Sequence, residues 1–90
     1  MNHSNITIIG GGNLGTAIAE GLIQSGFMQA SQITITKRNL STVQYLADKG
    51  VATLTNNLIA VKNADYIVLA VKPFQLKDIL KEIKPSLNST

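Results

Sequence analysis

The chain contains no cysteine, which excludes disulfides and thiolate metal sites. Its one histidine, His3, sits in a polar N-terminal stretch and reads as a solvated side chain. No nucleophile–base pair, paired carboxylates or metal-ligand cluster stands out, so no catalytic and no metal residue is assigned. No apolar run approaches the roughly 18 residues that a membrane span requires. A basic region followed by a long apolar one, the mark of a signal peptide, is also missing. A cytoplasmic location with no membrane partner is therefore expected. In that location the glycosylation patterns Asn2-His3-Ser4 and Asn88-Ser89-Thr90 have no consequence. The eight basic residues are scattered apart from Lys37-Arg38, and only 4% of the chain is aromatic. A basic stripe with interleaved aromatics, the footprint of a nucleic-acid partner, is thus absent. Repeats and low-complexity segments are absent too. With 90 residues, the chain is one small domain or a piece of a larger protein.

What is present begins with Ile6-Thr7-Ile8-Ile9-Gly10-Gly11-Gly12-Asn13-Leu14-Gly15. A short apolar run ends in a glycine-rich turn, and a helical pattern starts inside it. Gly10, Gly12 and Gly15 fall on the G-x-G-x-x-G spacing. Gly10 allows a tight reversal, Gly12 lets a pyrophosphate approach the backbone, and Gly15 lets helix and strand pack closely. The first N–H groups of the helix have no partner within it and carry the positive end of its dipole. No Gly-Lys-Ser/Thr follows, so this is not a P-loop. A purely structural glycine turn is the alternative; the strand before and the amphipathic helix after are the context a phosphate site requires.

Taken in order, strand 1 covers residues 6–9 and helix 1 covers 13–25. Leu14, Ala17, Ile18, Gly21 and Leu22 form its core-facing stripe, and Gly26 its C-cap. Strand 2 covers 33–36. Ser41 and Gln44 read as a capping box that starts helix 2, with Val43, Leu46 and Ala47 inward and Gly50 at its end. Strand 3 covers 51–54. Asn56 or Asn57 caps a short helix through residue 62. Strand 4 covers 66–70. Pro73 opens helix 4, whose stripe is Leu76, Ile79, Leu80 and Ile83, and Pro85 ends it. Glu20 and Asp65 read as solvated charges. Alternating strands and helices predict an α/β fold with a parallel doubly wound sheet, order 3-2-1-4, helices on both faces, and the extent of half a Rossmann fold. The turns after strands 1 and 4 then meet at the topological switch point, where ligands bind.

The end of strand 2 bears on cofactor choice. An NAD site usually places Asp or Glu roughly 20 residues past the glycines, on the adenosine ribose. Residues 21–47 contain no carboxylate, and Thr36-Lys37-Arg38-Asn39 stands in the expected place. A guanidinium bonds two phosphate oxygens at once and stacks on adenine. This favours NADP(H), with Arg38 as the 2′-phosphate ligand and Lys37 and Asn39 in support; the alternative is a solvated Lys-Arg pair in a loop. Lys72 has three open readings: near the cofactor phosphates or nicotinamide ribose, an ordinary surface lysine, or, least favoured, a catalytic lysine. Asn57 has two, a contact on the adenosine side or a plain helix cap.

The stretches Ile9-Gly10-Gly11-Gly12-Asn13-Leu14-Gly15, Ala19-Glu20-Gly21-Leu22, Lys37-Arg38-Asn39 and Leu69-Ala70-Val71-Lys72-Pro73 resemble the N-terminal domain of the pyrroline-5-carboxylate reductases over essentially the whole chain. The Arg-Asn and Ala-Val-Lys-Pro pieces are the specific ones, since the glycine motif is widespread. Leu14 departs from the Met of many bacterial members, a volume-conserving swap. The resemblance implies reduction of 1-pyrroline-5-carboxylate to L-proline by NAD(P)H. It implies that residues 9–14 hold the pyrophosphate, Arg38 and Asn39 the 2′-phosphate, Asn57 the adenosine side, and Ala70, Val71, Lys72 and Pro73 the nicotinamide half. In that family a C-terminal helical domain supplies the substrate pocket and the homo-oligomer contacts. Residues 1–90 are accordingly expected to be a truncated dinucleotide-binding domain, inactive alone and self-associating through an unprotected strand 4. Another NADP-dependent enzyme of the same superfamily (a β-hydroxyacid dehydrogenase or an F420-dependent NADP reductase) is the alternative within enzymes. A non-catalytic NADP(H)-sensing module and a purely structural half-Rossmann piece stand outside them.

Overall fold

Threonine alternates with isoleucine over Ile6-Thr7-Ile8 and Ile33-Thr34-Ile35-Thr36 in the two central strands, and that alternation sorts the molecule into two unequal cores. A computed structural model describes residues 4–10 and 12–86. Gly11, His3 and the asparagines of both glycosylation patterns lie outside them. The elements run β1 (Ile6–Ile9), α1 (Asn13–Gln24), β2 (Ile33–Thr36), α2 (Gln44–Asp48), β3 (Ala52–Leu54), α3 (Asn57–Ala60), β4 (Tyr66–Leu69) and α4 (Pro73–Ile83). The sheet is parallel with order β3-β2-β1-β4, the predicted half-Rossmann arrangement. Ile8 pairs with Ile35 on one side and Val68 on the other, so the same sheet face is apolar across three strands.

On that face Ile8, Ile33 and Ile35 are buried with Ala19 of α1, Leu46 of α2, and Met28, Val43 and Val51 from the connections. The opposite face carries Thr7, Ile9 and Thr36, and among the described residues its buried apolar cluster is Ile9, Val61 and Ile83. Thr7 compensates for its polarity there: its hydroxyl donates to the Ala60 carbonyl at 2.7 Å, tying β1 to the end of α3. Helices thus cover both faces, α1 and α2 on one, α3 and α4 on the other.

Four expectations shift. The inward stripe of α1 is turned by one residue: Gly15 and Ala19 are buried, Ile18, Leu22 and Ile23 pack against the core, and Leu14, Ala17 and Gly21 are exposed. The cause is Gly15, where a Cβ would strike the Gly10 carbonyl, so the helix seats itself with that residue against the turn. The Ser41 capping box is not formed. Asn39 takes the role one step earlier, its Oδ1 accepting from the Ser41 N–H at 3.1 Å and the Ser41 hydroxyl at 2.7 Å, and a 3-10 turn over Leu40–Val43 precedes α2. An Asn side chain closing a turn two residues on is the shorter ring and wins. In α4, Ile83 is buried and Ile79 half-buried, while Leu76 and Leu80 stay exposed, because nothing among the described residues covers that flank. Pro85 lies inside a 3-10 turn, Lys84–Ser86, that follows α4 rather than at its last residue.

Glu20 and Asp65 are both engaged. Tyr45 donates to Glu20 Oε2 at 2.8 Å, joining α2 to α1. That hydrogen bond, with a smaller desolvation contribution, holds the phenol above its ordinary pKa. Asp65 Oδ2 accepts from the Asn5 N–H at 2.7 Å, fixing the entry to β1 beside that of β4. Asn56 caps α3, its Oδ1 accepting from the Ile59 N–H at 3.0 Å.

Candidate functional site

The carboxyl ends of β1, β2 and β4 are knotted together by the glycine turn. Gly10 leaves β1 with φ +104°, a conformation open to glycine. Its N–H donates to both the carbonyl and the hydroxyl oxygen of Thr36, each at 3.3 Å. A Cβ on Gly10 would also strike the Ala70 carbonyl, and Ala70 N–H donates to Ile9 at 2.9 Å. The glycine turn and the exit of β4 are therefore in direct contact, as the switch-point argument requires.

Gly12 is the N-cap of α1, and no side-chain hydrogen bond caps that helix. Its first turn contains no acidic residue. The space where a Gly12 Cβ would stand is open. The unpaired N–H groups of this turn, with the positive end of the helix dipole, make a site for an anion of about unit charge or more. Gly12, Asn13 and Leu14 line a cleft of about 1140 Å³. That is slightly above the roughly 300–1,000 Å³ usual for drug-sized ligands.

Most sequence-predicted site residues meet there. Ile9 and Gly10 join Gly12, Asn13 and Leu14 at the base; Lys37 and Arg38 line the β2 side, Asn57 the β3 side, and Ala70, Val71, Lys72 and Pro73 the β4 side. Gly15 packs beneath the turn instead of lining the cleft. Asn39 is not among the lining residues; its Oδ1 accepts from Ser41 beside the cleft, and its amide NH₂ is not engaged in that turn. Gly11 is outside the described residues. Arg38 is exposed and has no hydrogen-bond or ion-pair partner among the described residues. Lys37 is anchored through its N–H, which donates to the Leu54 carbonyl at 3.1 Å.

Several lining residues were missed: Thr36, Thr55, Phe74, Gln75, Asp78, Ile79 and Glu82. The last four follow the i, i+3, i+4, i+7 spacing on α4, one helical face beginning two residues past Pro73. Once Pro73 was placed in the cleft, that periodicity would have found them. Gln75 also closes the turn into α4, its Oε1 accepting from Lys72 N–H at 3.2 Å and its own N–H donating to the Lys72 carbonyl at 2.9 Å. Lys72 is exposed at the rim, with its ammonium unpartnered among the described residues.

The family described as NADP oxidoreductase coenzyme F420-dependent matches residues 5–90. This chain belongs to that family. Pyrroline-5-carboxylate reductase 1 of Dictyostelium discoideum is 42% identical over 87 residues, which are 97% of this chain and 16% of the relative. The structure of a pyrroline-5-carboxylate reductase from Coxiella burnetii superposes with a TM-score of 0.90 at 42% identity, covering 99% of this chain and 33% of that one. An imine reductase from Myxococcus stipitatus in complex with NADP+ gives 0.78 at 26% identity, over 96% of this chain and 29% of that one. The chain thus spans 16% to 33% of the length of these relatives. The likeness to the pyrroline-5-carboxylate reductases expected from the motifs is found along nearly the whole chain.

Proposed function

We propose that this chain is the dinucleotide-binding domain of an NADP(H)-dependent pyrroline-5-carboxylate reductase. One observation carries the cofactor reading: an uncapped helix N-terminus, an open Gly12 and an unpaired Arg38 line a single cleft. The residues present fit NADP(H). The first turn of α1 and Gly12 would receive the pyrophosphate. Arg38, with Lys37 beside it, would take the 2′-phosphate, unopposed by any carboxylate between residues 21 and 47. Asn39 caps the loop through its Oδ1, and its amide NH₂ would support Arg38 at the same phosphate. Leu14 and Lys72 to Phe74 would flank the nicotinamide half, where Leu14 and Phe74 expose apolar surface that excludes water.

When bound, NADPH supplies the hydride that reduces the C=N carbon of a cyclic imine. The three relatives named above, two pyrroline-5-carboxylate reductases and an imine reductase, carry names for C=N reduction, which supports that reaction class. This chain's contribution is position and electrostatics; the substrate pocket and proton donor belong to other parts of the complete protein. A cytoplasmic site of action goes with this reading, because the enzyme draws on the cell's own cofactor pool. Homo-oligomerisation of the complete protein goes with it too, and pairing through β4 of this chain alone is supported by that strand's place at the sheet edge.

The test uses the complete protein with pyrroline-5-carboxylate as acceptor, following loss of reduced-nicotinamide absorbance. Turnover with a higher kcat/KM for NADPH than for NADH is expected. Arg38→Ala should erase most of that preference, since a charge-assisted contact contributes about 1.5–3 kcal/mol. Turnover that prefers NADH would refute the assignment of Arg38. Binding of NADPH with no turnover on this imine would move the protein to another reductase of the family or to a cofactor sensor.

A further inference from the structure

We infer that Glu82 is a positioning residue for the adenosine end of the cleft, holding the Asn57 amide so that Asn57 Oδ1 is presented to the ligand as an acceptor. This rests on the dinucleotide reading above. Asn57 Nδ2 donates to Glu82 Oε1 at 3.1 Å, and both residues line the cleft. An ionised carboxylate only accepts hydrogen bonds. Glu82 therefore selects the amide orientation: the NH₂ turns to α4, and Oδ1 is left without a partner among the described residues. Helix capping does not compete for it, because Asn56 performs that task. The plain-cap reading of Asn57 therefore falls, since Asn56 holds that role.

The placement identifies which part of a ligand meets this acceptor. Asn57 follows β3, the neighbour of β2, and Thr36 at the end of β2 is paired with Leu54. It therefore stands on the same side of the cleft as Lys37 and Arg38. Asp78, four residues before Glu82, adds a second carboxylate to the α4 wall. Two carboxylates repel phosphate, so the phosphates stay with the helix N-terminus and the basic pair. The neutral adenosine faces α4, and its hydrogen-bond donors are the 6-amino group of adenine and the free ribose hydroxyl. Either satisfies Oδ1.

The experiment measures affinity of the complete protein for NADPH and for its hypoxanthine analogue, in which a carbonyl replaces the 6-amino group. Glu82→Ala frees the Asn57 amide to rotate and should weaken NADPH about three- to tenfold, the span of one neutral hydrogen bond. Glu82→Gln, whose amide can accept from Nδ2 or donate to Oδ1, holds Asn57 without selecting its orientation and should fall between the parent and Glu82→Ala. Asn57→Asp sets two carboxylates together and should weaken binding. Adding Glu82→Gln to it should restore binding, because the glutamine NH₂ then donates to the new carboxylate. If the adenine amine is the donor, the parent discriminates against the hypoxanthine analogue and Glu82→Ala does not; if the ribose is the donor, both ligands weaken together. A tether that serves only stability would lower Tm in Glu82→Ala while leaving NADPH affinity and the double-variant rescue flat. That outcome overturns the inference while leaving the dinucleotide reading intact. A folded parent that binds no NADPH overturns both.

Discussion

Gly12 and Gly15 stand three residues apart in one motif, yet the molecule needs each for a different reason. At Gly15 a methyl group would meet the Gly10 carbonyl, so the helix would have to withdraw from the strand. At Gly12 the same methyl group meets nothing, and the backbone is extended at φ −81° and ψ −162°. Gly15→Ala should therefore destabilise the fold by about 1–3 kcal/mol, the usual range for overpacking. Gly12→Ala should leave Tm unchanged or slightly raised, since alanine narrows the unfolded ensemble by about 0.4–1 kcal/mol. It should still weaken NADPH binding, because its methyl group occupies the approach to the backbone N–H groups. Thermal unfolding and NADPH titration of both variants separate the two roles; equal loss of stability in both would refute the distinction. The pair Arg38 and Asn39 divides similarly. Adjacent in sequence, one lines the cleft while the other closes a turn beside it.

Among the elements, the thinner core is the more vulnerable. Its buried apolar cluster holds three residues, and α3 is a single turn of four. A short helix of that kind has little intrinsic stability and depends on tertiary contacts. The buried Thr7 hydroxyl bonded to the Ala60 carbonyl supplies one of them. Thr7→Val keeps the shape and leaves that carbonyl unpaired, so a loss of about 1–3 kcal/mol is expected. Because α3 also carries Asn57 into the cleft, NADPH affinity should fall with stability in this variant. Denaturant unfolding beside ligand titration checks it, and an unchanged midpoint would show that the bond contributes nothing net. On the thicker side, α1 and α2 share eight buried cluster residues with the sheet and its connections, and single conservative changes there should leave the cleft in place.

At the scale of the whole molecule, the sheet has two outer strands, and they differ. β3 is three residues long and begins with an exposed alanine. β4 is fully apolar or aromatic, and Tyr66 at its start is 51% exposed. Beside it runs a groove of about 470 Å³ between Leu22, Phe27, Met28 and the β4 residues Tyr66, Ile67 and Val68. An apolar outer strand without a charge or proline is a template for another strand. The 90-residue chain prepared alone should therefore self-associate through β4. Sedimentation velocity should show species above 9.6 kDa growing with concentration, and Ile67→Lys should shift them toward monomer. A single monomeric boundary at all concentrations would sink this prediction.

The order of elements, the parallel sheet and the meeting of the two ligand-side turns were legible in the sequence. Each follows from short-range patterns: apolar runs of strand length, a glycine spacing, a proline at a helix start. Arg38 and the missing carboxylate after β2 were legible for the same reason, because residue type and distance along the chain determine them. The rotation of α1, the exposure of Leu76 and Leu80, and the withdrawal of Asn39 from the cleft were not. Those depend on which atoms meet across the fold. Gly15 seats against the Gly10 carbonyl, none of the described residues covers the outer flank of α4, and Ser41 draws the Asn39 oxygen into a turn. The acidic wall was hidden for a related reason, since Asp78 and Glu82 reach the cleft only once α4 is laid across it and Asn57 comes within bonding distance. Periodicity identifies the faces of a helix; contact with the rest of the molecule decides which face turns inward.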